Sequence, residues 1–290
     1  MTGGSGRVTG GPDETAIERA AGAVSGAGAL LIGAGAGMGV DSGLPDFRGP
    51  QGFWRAYPPY ERLGLSFTDL ADPRWFATDP PFAWGFYGHR LGLYRRTRPH
   101  EGFAALARWA GMTPGGHFVL TSNVDGGFQR AGFDPDLVAE AHGSVHWMQC
   151  TARCGQPVFP ADPFEVRVDE STMRAADPLP SCPRCGALAR PNILMFGDRD
   201  WDGARTSAQL DRLDAWLGTV GRGPLVAVEF GAGKAVPTVR RYCEQISSQL
   251  GGTLVRVNPR EPDVPPGQIG VPMGALDAIR AIDARLTGRA

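Results

Sequence analysis

Ala29-Leu30-Leu31-Ile32-Gly33-Ala34-Gly35-Ala36-Gly37-Met38-Gly39 is the stretch that decides the architecture. Its apolar start, Ala29 to Ile32, reads as a short buried strand. The glycines that follow read as a turn whose backbone can come close to a pyrophosphate, with the amides of the next helix facing the negative charge. A strand ending in such a turn is the entrance to a nucleotide-binding α/β unit. The dinucleotide pattern G-x-G-x-x-G is not met, because Val40 stands where its last glycine belongs. On this stretch alone a plain tight turn therefore stays open.

Working outward, further short apolar runs occur at Phe118-Val119-Leu120, Ile193-Leu194-Met195, Leu225-Val226-Ala227-Val228 and Leu254-Val255-Arg256-Val257. Each is bounded by Gly, Pro or Asn, as strands are. Helical periodicity precedes the first strand at Glu14–Val24 and falls between the apolar runs at Phe103–Trp109 and Thr238–Leu250. It returns in a closing helix with Leu276, Ile279, Ile282 and Leu286 on one face. Strands alternating with helices predict an α/β fold with a mostly parallel sheet. Two stretches break the rhythm. Residues 55–98 carry Trp75, Phe76, Phe82, Trp84, Phe86 and Tyr87, and 146–190 carry two cysteine pairs and many turn formers. Both read as insertions that build a second, smaller domain, with the aromatics as its core.

The chain has 290 residues, 42% of them hydrophobic, and a net charge of −1. That is enough for a sizeable core, and it leaves no global field to attract nucleic acid or an acidic membrane. Lys234 is the only lysine against many arginines, which we read as the composition of a GC-rich, bacterial genome. No apolar run is long enough to span a bilayer. Residues 1–12 read as a disordered tail without the apolar centre of a signal peptide. The expected compartment is the cytoplasm, where paired cysteines favour metal over disulfide. Cys182 and Cys185 have C-x2-C spacing, and Cys150 and Cys154 have C-x3-C spacing. The 27 residues between the pairs can loop out and return, so the four thiolates can share one structural zinc. With every ligand a protein thiolate, no position is left for a reactive water. Four free thiols are the alternative. Cys243, within a helical pattern, reads as core.

The glycine turn continues as Asp41-Ser42-Gly43-Leu44-Pro45-Asp46-Phe47-Arg48-Gly49, then Gln51-Gly52-Phe53-Trp54. Downstream lie Thr121-Ser122-Asn123-Val124-Asp125-Gly126, Gln129-Arg130-Ala131-Gly132, His142-Gly143-Ser144, Phe196-Gly197-Asp198, Gly231-Ala232-Gly233 and Asn258-Pro259-Arg260-Glu261. In order and spacing these blocks, from about residue 13 to 287, resemble the sirtuin family. The resemblance implies a large Rossmann-type parallel-sheet domain (13–54, 99–145, 191–287) and a smaller helical plus zinc-binding domain (55–98, 146–190). NAD, a consumed co-substrate, and an acylated protein or small-molecule amine would meet between them.

The resemblance also implies roles. Gly35, Ala36 and Gly37 would approach the phosphates, and Asp46, Phe47 and Arg48 would form a cofactor loop, with Trp54 nearby. Ser122, Asn123 and Asp125 would serve the nicotinamide end. Gly231, Gly233 and Asn258 would hold phosphate and ribose, and Phe196 and Gly197 would meet the substrate. His142 would be the general base, with Asn123 beside it in catalysis. Taken alone, His142 is a single histidine of the kind more often found satisfied in a core. The implied reaction starts with attack of the acyl oxygen on the anomeric carbon, and nicotinamide leaves. His142 then draws a proton from a ribose hydroxyl, whose oxygen attacks the imidate, and water completes release of the amine and acyl-ADP-ribose. The chain departs from the family pattern at Gly39, Ser122, Gly127-Phe128, Asp198 and Gly233. ADP-ribosyl transfer or NAD hydrolysis on the same fold, and a non-catalytic NAD or ADP-ribose sensor, are the alternative readings.

Overall fold

The computed structural model describes residues 12–45, 49–220 and 224–288, with the backbone alone at 12–13 and 49–52. The expected tail lies outside these residues except for Pro12, which opens the first helix. Asp46, Phe47 and Arg48 also lie outside them.

The strands are β1 (Ala29–Ala34), β2 (His117–Thr121), β3 (Val138–Glu140), β4 (Gly143–Cys150), β5 (Phe159–Pro160), β6 (Val168–Asp169), β7 (Arg174–Ala175), β8 (Ala189–Ile193), β9 (Leu225–Phe230), β10 (Thr253–Val257) and β11 (Ile269–Val271). The helices are α1 (Pro12–Ser25), α2 (Gly49–Ala56), α3 (Pro58–Arg62), α4 (Phe67–Leu70), α5 (Trp75–Thr78), α6 (Pro80–Arg96), α7 (Gly102–Gly111), α8 (Gly127–Arg130), α9 (Ala204–Val220), α10 (Thr238–Leu250) and α11 (Ala275–Leu286).

Six strands form one parallel sheet in the order β11-β10-β9-β1-β2-β3. Read outward from β1, this is the doubly wound order, with the switch of direction between β1 and β9. Every residue of β1 is buried, as a central parallel strand covered on both faces requires. Its side chains alternate between two cores. Leu30 and Ile32 face Ile17, Leu106, Trp109, Ile279 and Ile282 of α1, α7 and α11. Ala29 and Leu31 face Leu213, Val239, Cys243 and Ile246 of α9 and α10. Cys243 is fully buried there, as its helical setting predicts. On α11 the inner face is Ala275, Ala278, Ile279 and Ile282, and Leu276 and Leu286 lie at its margins.

β5, β4 and β8 form a small antiparallel sheet. The expected strand at 193–195 lies earlier, at Ala189–Ile193. Arg190 and Asn192 are polar residues within it, and both are buried with partners: Arg190 grips Asp198, and Asn192 bonds Gln149 and the Asp202 carbonyl. The aromatics of α3 to α6 and the strands β4 and β5 share one cluster, including Tyr60, Phe76, Trp84, Phe86, Met148 and Phe159.

α6 crosses the β6–β7 hairpin at Gly85, where a Cβ would stand 1.8 Å from the Met173 carbonyl oxygen. Backbone cannot yield as a flexible side chain does, so Gly85→Ala must move the hairpin. We expect a loss of about 1–3 kcal/mol in unfolding free energy, read by denaturant titration. An unchanged midpoint would show that the helix and hairpin are not in fixed contact.

Candidate active site

The carboxyl ends of β1 and β9 meet at the switch point of the sheet, where open α/β sheets bind ligands. Here the glycine turn after β1 lies directly on the loop after β9. The Gly35 amide donates to the Phe230 carbonyl at 2.9 Å, and the Gly37 amide donates to the Gly231 carbonyl at 3.2 Å. Gly231 has φ +60°, and a Cβ on it would lie 2.4 Å from the Gly37 Cα. No other residue type fits that contact. The two loops therefore present bare backbone, the surface an anionic phosphate approaches best.

The loop after β10 braces this pair. Asn258 is fully buried. Its amide donates to the Ala232 carbonyl at 3.0 Å, and its Oδ1 accepts from the Arg260 and Glu261 amides at 3.0 and 3.1 Å. Its side chain thus acts as a strut between the two loops. Arg256 and Glu229, with side chains fully buried, bond bidentately at 2.7 and 2.9 Å beneath the same loops. Gly233 is half-buried on the outer side of this strut.

On the other side of β1, the loop after β2 carries Ser122, Asn123 and Asp125. The Ser122 amide donates to the Ala34 carbonyl at 3.0 Å, and Asn123 Nδ2 donates to the Gly35 carbonyl at 2.9 Å. Asn123 is thereby fixed against the glycine turn. Asp125 accepts from the Gly127 amide at 2.7 Å. Burial raises its pKa above the usual carboxylate value, and that amide opposes the shift. Asn123 and Asp125 line a water-sized cavity of about 20 Å³ with Leu44, Phe103, Phe128 and Tyr94. Its wall is mostly apolar, with Asp125 and Arg130 among its charged lining.

His142 stands between this loop and β8. The Ala141 amide donates to the Thr121 carbonyl at 2.8 Å, the Val145 amide to the Val124 carbonyl at 3.0 Å, and the Leu194 amide to the His142 carbonyl at 3.0 Å. His146 Nε2 lies 2.9 Å from the Asp125 carbonyl oxygen. The His142 ring is half-buried, and burial lowers its pKa. It is therefore neutral near pH 7 and can accept a proton. Beyond it, Leu194 and Phe196 are exposed apolar side chains, 39% and 44% accessible. Gly197 follows at φ +68°. The 194–202 loop is anchored from below by the buried Arg190–Asp198 pair, at 2.7 and 2.9 Å.

The structure thus gathers Gly35, Ala36, Gly37, Ser122, Asn123, Asp125, His142, Gly231 and Asn258 around one end of the sheet. Trp54 is tied elsewhere: its indole donates to the Leu65 carbonyl at 2.8 Å, and its ring packs on the aromatic cluster. Three features escaped the sequence reading. Arg190 bridges to Asp198. Arg90 lies buried on α6 among the rings of Phe86 and Tyr94, at 5.2 and 5.3 Å, and donates to the Tyr94 hydroxyl at 2.9 and 2.7 Å. Thr238 meets His142. Arg90 had a signal, a charge set among the aromatics of one helix.

β4 runs from Gly143, beside His142, to Cys150, and its pairing with β8 shifts register between Ser144 and Met148. The sulfurs of Cys150, Cys154, Cys182 and Cys185 all lie within 4.8 Å of one another, and the Cys150–Cys185 and Cys154–Cys182 separations are each 3.6 Å. A zinc–sulfur bond of about 2.3 Å puts tetrahedral sulfurs about 3.8 Å apart. The four thiolates therefore fit one zinc ion, and among the described residues no other such cluster of metal-ligating side chains occurs.

The sequence model of the Sir2 family matches residues 35–218. NAD-dependent protein deacylase 2 of Pyrobaculum aerophilum is 33% identical over 227 residues, 77% of either chain. The NAD-dependent protein deacylase of Methylococcus capsulatus is 33% identical over 239 residues, 80% of this chain and 82% of its own. Among solved structures, a Sir2 homologue–NAD complex superposes with a TM-score of 0.67 at 25% identity, covering 93% of this chain and 94% of that one. With these matches over the same switch point, histidine and cysteine cluster, the chain belongs to the Sir2, or sirtuin, family.

Proposed function

We propose that the protein is an NAD-dependent protein deacylase acting on acylated lysine side chains, with NAD as a consumed co-substrate. One observation carries this reading. His142 is locked by backbone bonds between the Asn123–Asp125 loop on one side and the exposed apolar edge at Leu194 and Phe196 on the other. A base in that position can serve a ribose from one side and an acyl chain from the other. Small-molecule amines are the alternative acyl carriers. The four cysteines hold zinc in a structural role and remain reduced, which accords with action in the cytoplasm.

The chain's residues divide the work as follows. Gly35, Ala36 and Gly37, with Gly231 and Gly233, present backbone to the diphosphate, and Asn258 keeps those loops in register. Asp46, Phe47 and Arg48 complete the cofactor loop. Ser122, Asn123 and Asp125 orient the nicotinamide end, where the Asp125 carboxylate accepts from the carboxamide. Phe196 and Gly197 meet the acyl-lysine segment. His142 accepts the proton of a ribose hydroxyl, so that the ribose oxygen can take the acyl group. Segments 55–98 and 146–190 form the small domain, and NAD and substrate meet between it and the large domain.

His142→Ala should lower acyl-ADP-ribose formation by about 10²–10⁴-fold while nicotinamide release persists. Mass spectrometry of both products, with NAD and a pooled acyl-lysine peptide library, checks this. Nicotinamide release by the wild type without acyl-ADP-ribose would move the protein to ADP-ribosyl transfer or NAD hydrolysis. Because burial places the His142 pKa below about 6.5, the base form already dominates at neutrality. The acyl-transfer rate should be flat between about pH 7 and 8 and fall as pH drops below about 6.5. A rate still climbing tenfold from pH 7 to 8 would contradict that assignment. Zinc in such small modules supplies folding energy on the order of 10 kcal/mol. Strong chelator should remove one zinc per chain, by metal analysis, and lower the melting temperature; an unmoved melting curve would exclude a structural metal.

A further inference from the structure

Thr238 is the first residue of α10, and its Oγ1 lies 3.1 Å from His142 Nε2. A threonine at a helix start commonly caps its own helix. Here the capping position belongs to Pro237, no side-chain cap is formed, and the Thr238 hydroxyl turns to the histidine instead. Both partners are held from behind. The neighbouring Val239 and Arg240 are buried, and Arg240 donates to the Glu261 and Asp263 carbonyls, each at 2.9 Å. The Lys234 amide, in the loop leading to the helix, donates to Glu261 at 2.8 Å. Threonine is β-branched and in a helix is restricted at χ1 to two main rotamers, so few hydroxyl positions are open to it. The contact thus joins the histidine of the Asn123–Asp125 side to the loops of the Gly231–Asn258 side.

A hydroxyl can donate to a neutral imidazole nitrogen and accept from a protonated one. The nitrogen that accepts a hydrogen bond is the one without a proton. We propose, on the reading of His142 as the base, that Thr238 is a positioning residue. In the free enzyme its hydroxyl donates to Nε2 and favours the tautomer with the proton on Nδ1; when the ribose binds, that hydroxyl yields the single Nε2 lone pair to the ribose O–H, and Nε2 takes the ribose proton. Once Nε2 is protonated, it donates back to the same hydroxyl, so the ring keeps its orientation in both states. In this arrangement the Thr238 side chain meets the imidazole Nε2 and acts on the ribose only through it.

The test uses full-length protein with Thr238→Val, which keeps the shape and removes the hydroxyl, and Thr238→Ser, which restores it. Loss of one such hydrogen bond should lower kcat for acyl-ADP-ribose formation about tenfold. KM for NAD and the rate of nicotinamide exchange, which precedes the base, should stay within about twofold, and serine should recover the rate. ¹⁵N spectra of the imidazoles, with His142 assigned by its loss in His142→Ala, should show Nε2 unprotonated in the wild type and a mixed tautomer in the valine variant. Equal rates, a parallel fall in exchange, failure of serine to rescue, or a wild-type Nε2–H tautomer would each overturn the proposal. If the wild type forms no acyl-ADP-ribose, the deacylase reading fails, and the tautomer comparison still decides the role of Thr238.

Discussion

Everything at the functional end of this protein depends on two glycine loops that touch backbone to backbone. β1 and β9 are neighbours in the sheet, and each is followed by a glycine at the point where the order of the strands reverses. The Gly37 amide reaches the Gly231 carbonyl, and the space a side chain would take at Gly231 is already filled by Gly37. Contact this close leaves backbone and short side chains as the surface of the crevice. A side chain at Gly35 or Gly231 would separate the strand ends. The Asn258 strut behind Ala232 then has a single arrangement to support.

The two halves of the site are fixed by different physics. Towards β9 and β10 the loops rest on a buried charge network, with Arg256 held between Glu229 and Glu244. Towards β8 the 194–202 loop rests on the Arg190–Asp198 pair. A buried ion pair contributes little net stability, because desolvation offsets much of its attraction, but removing one partner leaves an uncompensated charge. Its value here is geometric, since each pair pins a loop that would otherwise lie on the surface. Between them, His142 is set by backbone bonds of its neighbours, which fix the direction from which its ring enters the cleft.

Much of the frame was legible in the sequence because it follows from burial. β1 and β9 are apolar runs of a covered parallel sheet, α10 was bounded at Thr238 and Leu250 by periodicity, and the cysteine spacing announced the cluster. At β8 and α9 the failures share one cause, polar residues whose partners lie outside their own element. β8 was displaced because Arg190 and Asn192 do not read as strand until Asp198 and Gln149 are placed beside them. α9 went unseen because its inner face is Thr206, Gln209, Leu213 and Leu217, and its first two residues bond the backbone of Glu140. Trp54 lies in a motif that resembles a cofactor segment, yet its indole serves a local turn at Leu65. Sequence order placed Thr238 at a helix start and could not show that it meets a histidine ninety-six positions away.

The most direct test of this account is a crystal structure of the protein with ADP-ribose. The diphosphate is expected against the glycine loops 35–37 and 231–233, with the distal ribose turned towards His142. A diphosphate bound away from both glycine loops, or a distal ribose facing away from His142, would contradict the assignment of the switch point as the nucleotide site.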